Sequence, residues 1–175
     1  MFSIILQRKG QLEIKMSETI EENGACRCRS VKFKVVGKIL MNALCHCKAC
    51  SQNRGMSPVH LIAVTPPEAV QITEGKEFLR KFKGEGRMRH KFCSKCGVLV
   101  YQCPKKAPFR AILPTNFHIE DGVSCKLPEK YMPRAHINYE NRQYDWKDPL
   151  PKFKEFPPHG RLDNNGYDIH HATFY

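Results

Sequence analysis

The stretch GACRCRSVKFKV, residues 24–35, decides how this chain folds. Side chains two residues apart in an extended chain point to the same side. Cys26 and Cys28 can therefore offer two sulfurs to one ion, and the alternating apolar residues that follow form one face for burial. The segment 28–37 is thus predicted to be a half-buried strand that starts beside a metal site.

The remaining sequence has the pattern of short strands joined by turns. Its 175 residues fit one domain of ordinary size. The 12 Pro and 11 Gly indicate many turns. Alternating or apolar segments predict strands at residues 59–64, 70–73, 87–92, 98–101, 109–113 and 135–139.

We therefore expect a mostly β fold in one domain over residues 20–155. An N-terminal extension, residues 1–19, precedes it, and an irregular C-terminal tail, residues 156–175, follows it. Residues 1–15 show no partner pattern, and we expect them to be dispensable for stability.

Composition excludes several classes of protein. No run approaches the ~18 consecutive apolar residues of a membrane-spanning helix, so no membrane span is expected. The nine Cys are an odd number and follow no signal-peptide pattern, which disfavours a secreted disulfide framework. We therefore expect a cytoplasmic protein, with the nucleus as the alternative compartment, whose grouped thiols stay reduced and bind metal.

Seven of the nine Cys lie in three groups, which are Cys26-x-Cys28, Cys45-x-Cys47-x-x-Cys50 and Cys93-x-x-Cys96-Gly97. Structural zinc takes four Cys or His ligands in a tetrahedron. The two pairs together therefore predict one closed zinc site made of Cys26, Cys28, Cys93 and Cys96. A redox role of the thioredoxin type would need a βαβ setting, which the sequence does not show.

The pairing leaves Cys45, Cys47 and Cys50 as a compact trio. Three protein ligands beside an open position are typical of catalytic zinc, so we predict a second, functional zinc site here. The alternative is a closed site whose fourth ligand is Cys103, Cys125 or a His. His46 is disfavoured in that role, because neighbouring residues of an extended segment point in opposite directions.

These residues resemble the glutathione-dependent formaldehyde-activating enzyme family, of which centromere protein V is a relative in the same superfamily. The likeness covers about residues 20–155, including residues 133–137, Trp146 and residues 150–153. It implies the Mss-four-like fold, a set of small coiled β-sheets built around a four-cysteine structural zinc. It also implies that the trio holds the functional zinc, so that each chain carries two zinc ions.

The resemblance implies a carbon–sulfur lyase that acts on the adduct of a thiol such as glutathione with a small aldehyde. An open zinc can bind an external thiol or polarise a carbonyl group, which is consistent with that chemistry. The alternative is a zinc-stabilised interaction module that binds chromatin or cytoskeletal partners, as centromere protein V does. The short acidic segment before the first motif favours the enzyme, because such a module would use a long basic arm.

The formal net charge of +12 can attract nucleic acid or a small acidic ligand. A dense basic run spans residues 80–91 and contains one acidic residue, Glu85. Because one short strand lacks the breadth of a nucleic-acid groove, we expect the run to dock an acidic thiol ligand, with Arg87 and Arg89 involved. Nucleic-acid binding is the disfavoured reading of the same charges, and the sequence does not indicate an oligomeric state.

Overall fold

A computed structural model describes residues 18–83, 88–105, 107–117 and 127–169. Residues 1–15, Arg87, Cys125 and the end of the tail, about which the sequence makes predictions, lie outside these ranges. No helix in the described ranges is long and apolar enough to cross a membrane.

The described chain is mostly β, as the sequence predicts. Its strands are β1 (Thr19–Ala25), β2 (Lys32–Cys45), β3 (Val59–Thr65), β4 (Val70–Glu74), β5 (Leu79–Lys83), β6 (Met88–Cys93), β7 (Leu99–Pro104), β8 (Arg110–Ile112), β9 (His136–Ile137), β10 (Lys152–Phe153) and β11 (Arg161–Leu162). One α-helix in these ranges, α1, spans Lys48–Arg54. Short 3-10 helices lie at Pro67–Ala69, Lys76–Phe78, Pro114–Asn116, Glu129–Tyr131 and Tyr139–Asn141.

The long strand β2 joins smaller sheets into one network. Its first half pairs with β1 on one edge and β4 on the other, and both pairings are antiparallel. Its second half pairs antiparallel with β3 and parallel with β9. A register shift between Ile39 and Met41 separates the β3 pairing into two parts, so the strand bends between its two sets of partners.

From β2 the sheet extends in two directions. One side continues through β3, β8, β7 and β6 to β5, and the other through β9 and β10 to β11. The strand β11 lies within the segment predicted to be an irregular tail, so that prediction is corrected at Arg161–Leu162. Phe153 and Leu162 are buried, which explains why this part of the chain is held against the sheet.

The core of the described residues lies in two clusters. The larger contains the alternating residues of the opening stretch, Val31, Phe33 and Val35, each at most 1% exposed as predicted. The smaller cluster contains two of the trio cysteines, Cys45 and Cys50, together with Leu61 and Ile137.

The predicted strand start at residue 28 is wrong. The backbone from Cys26 to Ser30 turns instead, with Arg29 in the left-handed region at φ 59° and its N–H donating to the Cys26 carbonyl. The strand begins at Lys32 and continues to Cys45, well beyond the predicted end. The turn frees Cys28 from the sheet, so a turn and not strand alternation brings Cys26 and Cys28 together.

Candidate metal centres

The structure brings together the four cysteines that the sequence pairs. The sulfur atoms of Cys26, Cys28, Cys93 and Cys96 all lie within 4.8 Å of one another. The Sγ of Cys28 lies 3.5 Å from that of Cys26 and 3.8 Å from that of Cys93. This spacing fits four ligands around one ion.

Two turns of similar form supply these ligands. The N–H of Cys26 donates to the carbonyl of Val31, and the N–H of Cys93 donates to the carbonyl of Val98 in the same way. Gly97 has a φ of 72° in the second turn, a conformation that glycine adopts without strain. Burial raises the pKa of Cys26 to about 12, whereas hydrogen bonds from Ser30 lower that of Cys28 to about 6. Ionisation of Cys26 at neutral pH therefore requires a nearby cation.

The trio is positioned by the end of a strand and the start of a helix. Cys45 is the last residue of β2, Cys47 is the N-cap of α1, and Cys50 lies in its first turn. The Cys47 sulfur accepts a hydrogen bond from the Cys50 N–H at 3.3 Å, as an N-cap side chain does. The three sulfurs lie within 4.8 Å of one another, and the helix ends at Gly55, whose φ is 63°.

The trio thiols share protons unequally. Hydrogen bonds from Cys45 and then Cys50 lower the pKa of Cys47 to about 3. The same hydrogen bonds and burial raise the pKa of Cys45 well above its usual value. The Cys47 thiolate thus accepts hydrogen bonds from the thiols of Cys45 and Cys50. Three soft sulfur donors at this spacing also fit a divalent ion such as zinc.

No fourth side chain of the described residues completes the trio. The group of mutually close Cys, His, Asp and Glu ligand atoms in these ranges contains Cys45, Cys47 and Cys50 alone. Cys103 packs against the other core cluster. Its neighbour Gln102 points to the trio instead and donates to the Cys50 sulfur at 3.7 Å, so Cys103 lies on the opposite face of β7.

A cation, Arg54, lies beside the trio without an acidic partner among the described residues. Its Nη2 donates to Gln102 Oε1 at 2.9 Å and to His90 Nδ1 at 3.3 Å. Burial lowers the pKa of its guanidinium, and the charges of Cys50 and Cys47 raise it. Gln102 thus connects the guanidinium of Arg54 to the sulfur of Cys50.

Sequence reasoning missed a buried polar chain behind the trio. His46 Nε2 lies 2.8 Å from His136 Nδ1, and His136 Nε2 lies 2.8 Å from Asp148 Oδ2. Lys152 donates to Asp148 Oδ1 at 2.7 Å. The two histidines are 0% exposed and Lys152 is 2% exposed, whereas the Asp148 side chain is 29% exposed, so this chain is buried except at Asp148. The sequence does contain one signal of this polar chain. Asp148 and Lys152 are four residues apart, a spacing at which a carboxylate and an ammonium group in a loop can form an ion pair.

Comparisons with known proteins point to one family. The profile of the family described as glutathione-dependent formaldehyde-activating enzyme matches residues 21–141. A protein of Colletotrichum graminicola is 27% identical over 107 residues, 59% of this chain and 56% of its own length. A protein of Talaromyces marneffei is 29% identical over 59% of this chain and 57% of its own length. A protein of Fusarium vanettenii is 29% identical over 50% of this chain and 48% of its own length.

All three relatives are provisionally named glutathione-dependent formaldehyde-activating enzymes. The matched region spans about half the length of these curated relatives. A Rhodobacter sphaeroides protein of known crystal structure has 19% sequence identity to this chain and a TM-score of 0.45. The match covers 59% of this chain and 91% of the Rhodobacter chain.

Proposed function

Because the chain belongs to the glutathione-dependent formaldehyde-activating enzyme family, we propose that it binds a small thiol such as glutathione at the trio and acts on its adduct with a small aldehyde. The reaction class is a carbon–sulfur lyase, which joins or releases the aldehyde carbon at the thiol sulfur. The cytoplasm, where thiols stay reduced, is the compartment that we propose for it.

The proposal includes zinc at both cysteine groups. Cys26, Cys28, Cys93 and Cys96 would hold a structural ion, because four sulfurs close its coordination. Cys45, Cys47 and Cys50 would hold the second. When bound there, zinc supplies a Lewis acid and an open position that an external thiol can take.

One observation carries the proposal: the trio has three sulfurs, no fourth described ligand, and beside it the Arg54 guanidinium, which forms no ion pair with a described carboxylate. Three thiolates on one divalent ion leave a net charge of about −1, and an added thiolate makes the site more negative. Such a ligand binds well only where a nearby cation offsets the charge.

The structure distinguishes the three basic residues nearest the trio in sequence, His46, Lys48 and Arg54. His46 is buried and bonded to His136, and burial lowers its pKa to about 4, so it is neutral at pH 7. Lys48 is exposed to solvent, where its charge is screened. Arg54 alone of these is half-buried and connected to the trio through Gln102, so we assign the offsetting charge to it.

The surrounding residues orient the trio. Asn138 donates through Nδ2 to the Cys45 sulfur at 3.5 Å, and Gln102 donates to that of Cys50. Hydrogen bonds to sulfur stabilise its thiolate form and fix its direction. Cys47 receives the Cys50 N–H instead, so each of the three sulfurs accepts one hydrogen bond from the chain.

The test replaces zinc by cobalt and follows the thiolate-to-cobalt absorption. Glutathione at about millimolar concentration should change the band of the trio, because an added sulfur alters the ligand field. A Cys50→Ser variant should lose that change, and Cys103→Ser should keep it. A spectrum that glutathione leaves unchanged would show that the site is closed and would overturn the proposal.

A further inference from the structure

A cavity of about 350 Å³ lies away from both cysteine groups. Its apolar lining includes Val70, Leu79 and Tyr101, and its basic lining consists of Lys76, Lys91 and Arg110. The strands β4 to β8 and the 3-10 helix Lys76–Phe78 supply these residues. Its volume lies at the lower end of the range for small-molecule sites.

This cavity and the trio lie on opposite faces of the same strands. Lys91 pairs with Tyr101, and the adjacent pair is His90 with Gln102. Successive strand residues face opposite ways, so the pair that lines the cavity points away from the pair that surrounds Arg54. The cavity is therefore a separate site and does not belong to the thiol site proposed above.

The cavity is electropositive. None of its three cations forms an ion pair with a described carboxylate, whereas other lysines, such as Lys32 and Lys34, do. Arg110 is held in place, because its Nη1 donates to the Val70 carbonyl and its guanidinium lies 4.7 Å from the centre of the Tyr101 ring. A cation fixed in this way is preorganised for an anion.

The cavity also offers apolar and hydrogen-bonding surface. Val70 is 2% exposed and Tyr101 is 7% exposed, so both form the floor and not the rim. Burial raises the pKa of Tyr101, so its phenol stays neutral and keeps a proton to donate.

We propose that this cavity binds a small anion that carries an apolar group. Lys76, Lys91 and Arg110 would hold the anionic group, and Val70, Leu79 and Tyr101 would pack against the apolar part. The net charge of +12 would raise the local concentration of such a ligand.

The test is a titration of the full-length, metal-loaded protein followed by amide NMR shifts, at about 50 mM ionic strength. Three probes are used. Phenyl phosphate carries both an anionic group and an apolar ring, inorganic phosphate carries the charge alone, and benzyl alcohol carries the ring alone. We expect phenyl phosphate to shift amides near Lys91 and Tyr101 and to bind at least about threefold more tightly than inorganic phosphate. Benzyl alcohol should bind more weakly than either.

Matched double variants decide whether the site is specific. An exposed ion pair changes affinity by a few-fold, so Lys76→Gln with Lys91→Gln should raise the Kd of phenyl phosphate about tenfold. The control, Lys38→Gln with Lys147→Gln, removes the same charge from exposed positions outside the cavity. It should change the Kd of phenyl phosphate by less than about twofold. Equal losses in the two double variants, or no shifts with phenyl phosphate, would overturn the proposal. Neither result bears on the cobalt spectrum of the trio.

Discussion

The Nε2 atom of His46 lies 2.8 Å from the Nδ1 atom of His136, although the two residues are 90 positions apart in the sequence. The other nitrogen of His136 faces Asp148, so its proton lies on Nε2 and its Nδ1 accepts from His46. His46 is then protonated on Nε2, and its buried Nδ1 has no partner among the described residues. This connection fixes the position of the residue between Cys45 and Cys47.

Replacing His136 should therefore loosen the fold. His136→Gln leaves the buried His46 N–H and the Oδ2 atom of Asp148 without well-placed partners, which should lower the free energy of unfolding by about 1–3 kcal/mol. Urea unfolding of the zinc-loaded protein measures this change. His159→Gln, at an exposed position, is the control, and an equal effect of the two variants would show that the buried chain is not stabilising.

The two cysteine groups should differ in importance for folding. Structural zinc contributes its binding free energy to the fold, so Cys93→Ser or Cys26→Ser should leave the chain largely unfolded. Cys50→Ser should lose about one zinc per chain and keep a cooperative melt. Elemental analysis and thermal unfolding by circular dichroism report both quantities. Collapse of all three variants to the same extent would make the trio structural as well.

Arg54 should control thiol affinity without controlling metal content. Arg54→Gln removes the offsetting charge and should raise the Kd for glutathione on the cobalt-loaded protein about tenfold, whereas Arg54→Lys should raise it only a few-fold. Lys48→Gln, at an exposed position in the same helix, should have little effect. Unchanged affinity in Arg54→Gln would remove Arg54 from the site and would leave the thiol proposal resting on the three sulfurs alone.

The stability of the protein should fall in mild acid through His60. Burial lowers the pKa of His60 to about 4, and its Nε2 lies 2.7 Å from Asn42 Oδ1. The unfolded chain takes up this proton at higher pH than the folded one, so stability is complete above the ordinary His pKa of about 6.5 and is lost as the pH falls toward about 4.

The comparison with His60→Gln isolates this effect, because metal release in acid is common to both proteins. Between about pH 7 and pH 5 the wild type should lose about 1 kcal/mol more of its free energy of unfolding than the variant, after allowance for the partly exposed position of His60. Chemical denaturation at several pH values measures the difference. Parallel pH curves for the two proteins would mean that His60 takes up its proton equally in both states.

The basic run should not form a nucleic-acid groove. Residues 80–82 and 88–91 belong to the antiparallel pair β5 and β6, so their side chains alternate between two faces, and His90 is buried. DNA binding should thus be weak, with a log–log salt slope shallower than about −4, and should be lost by about 150 mM salt. Fluorescence anisotropy across a salt series measures this slope. Tight binding at that salt would support the chromatin module instead.

Sequence pattern predicts much of this fold because period and spacing are local signals. The alternation of Val31, Phe33 and Val35 identifies β2, and the spacing of the seven grouped cysteines identifies the two cysteine groups that the fold brings together. The bend of β2 near Ile39 is not predictable in this way, because a register shift interrupts the alternation. Two-residue strands such as β10 are too short to show a period.

The surroundings of the trio were beyond prediction for a different reason. Arg54 reaches the trio through Gln102, a residue 48 positions later, and their contact depends on how α1 packs against β7. Local pattern contains no information on such a pairing. The same holds within the basic run, whose strand pairing places Lys91 at the cavity and His90 beside Arg54.

The four-cysteine group joins two turns whose cysteines, Cys28 and Cys93, are 65 residues apart. An ion held by both turns acts as a cross-link, because an unfolded chain that keeps the ion also keeps a closed loop. In the chain-entropy model used for disulfides, closing a loop of this length lowers the entropy of the unfolded state by the equivalent of roughly 4 kcal/mol. If the group holds an ion as proposed, removing it with a chelator would return that freedom to every residue between the two turns, the trio and α1 included.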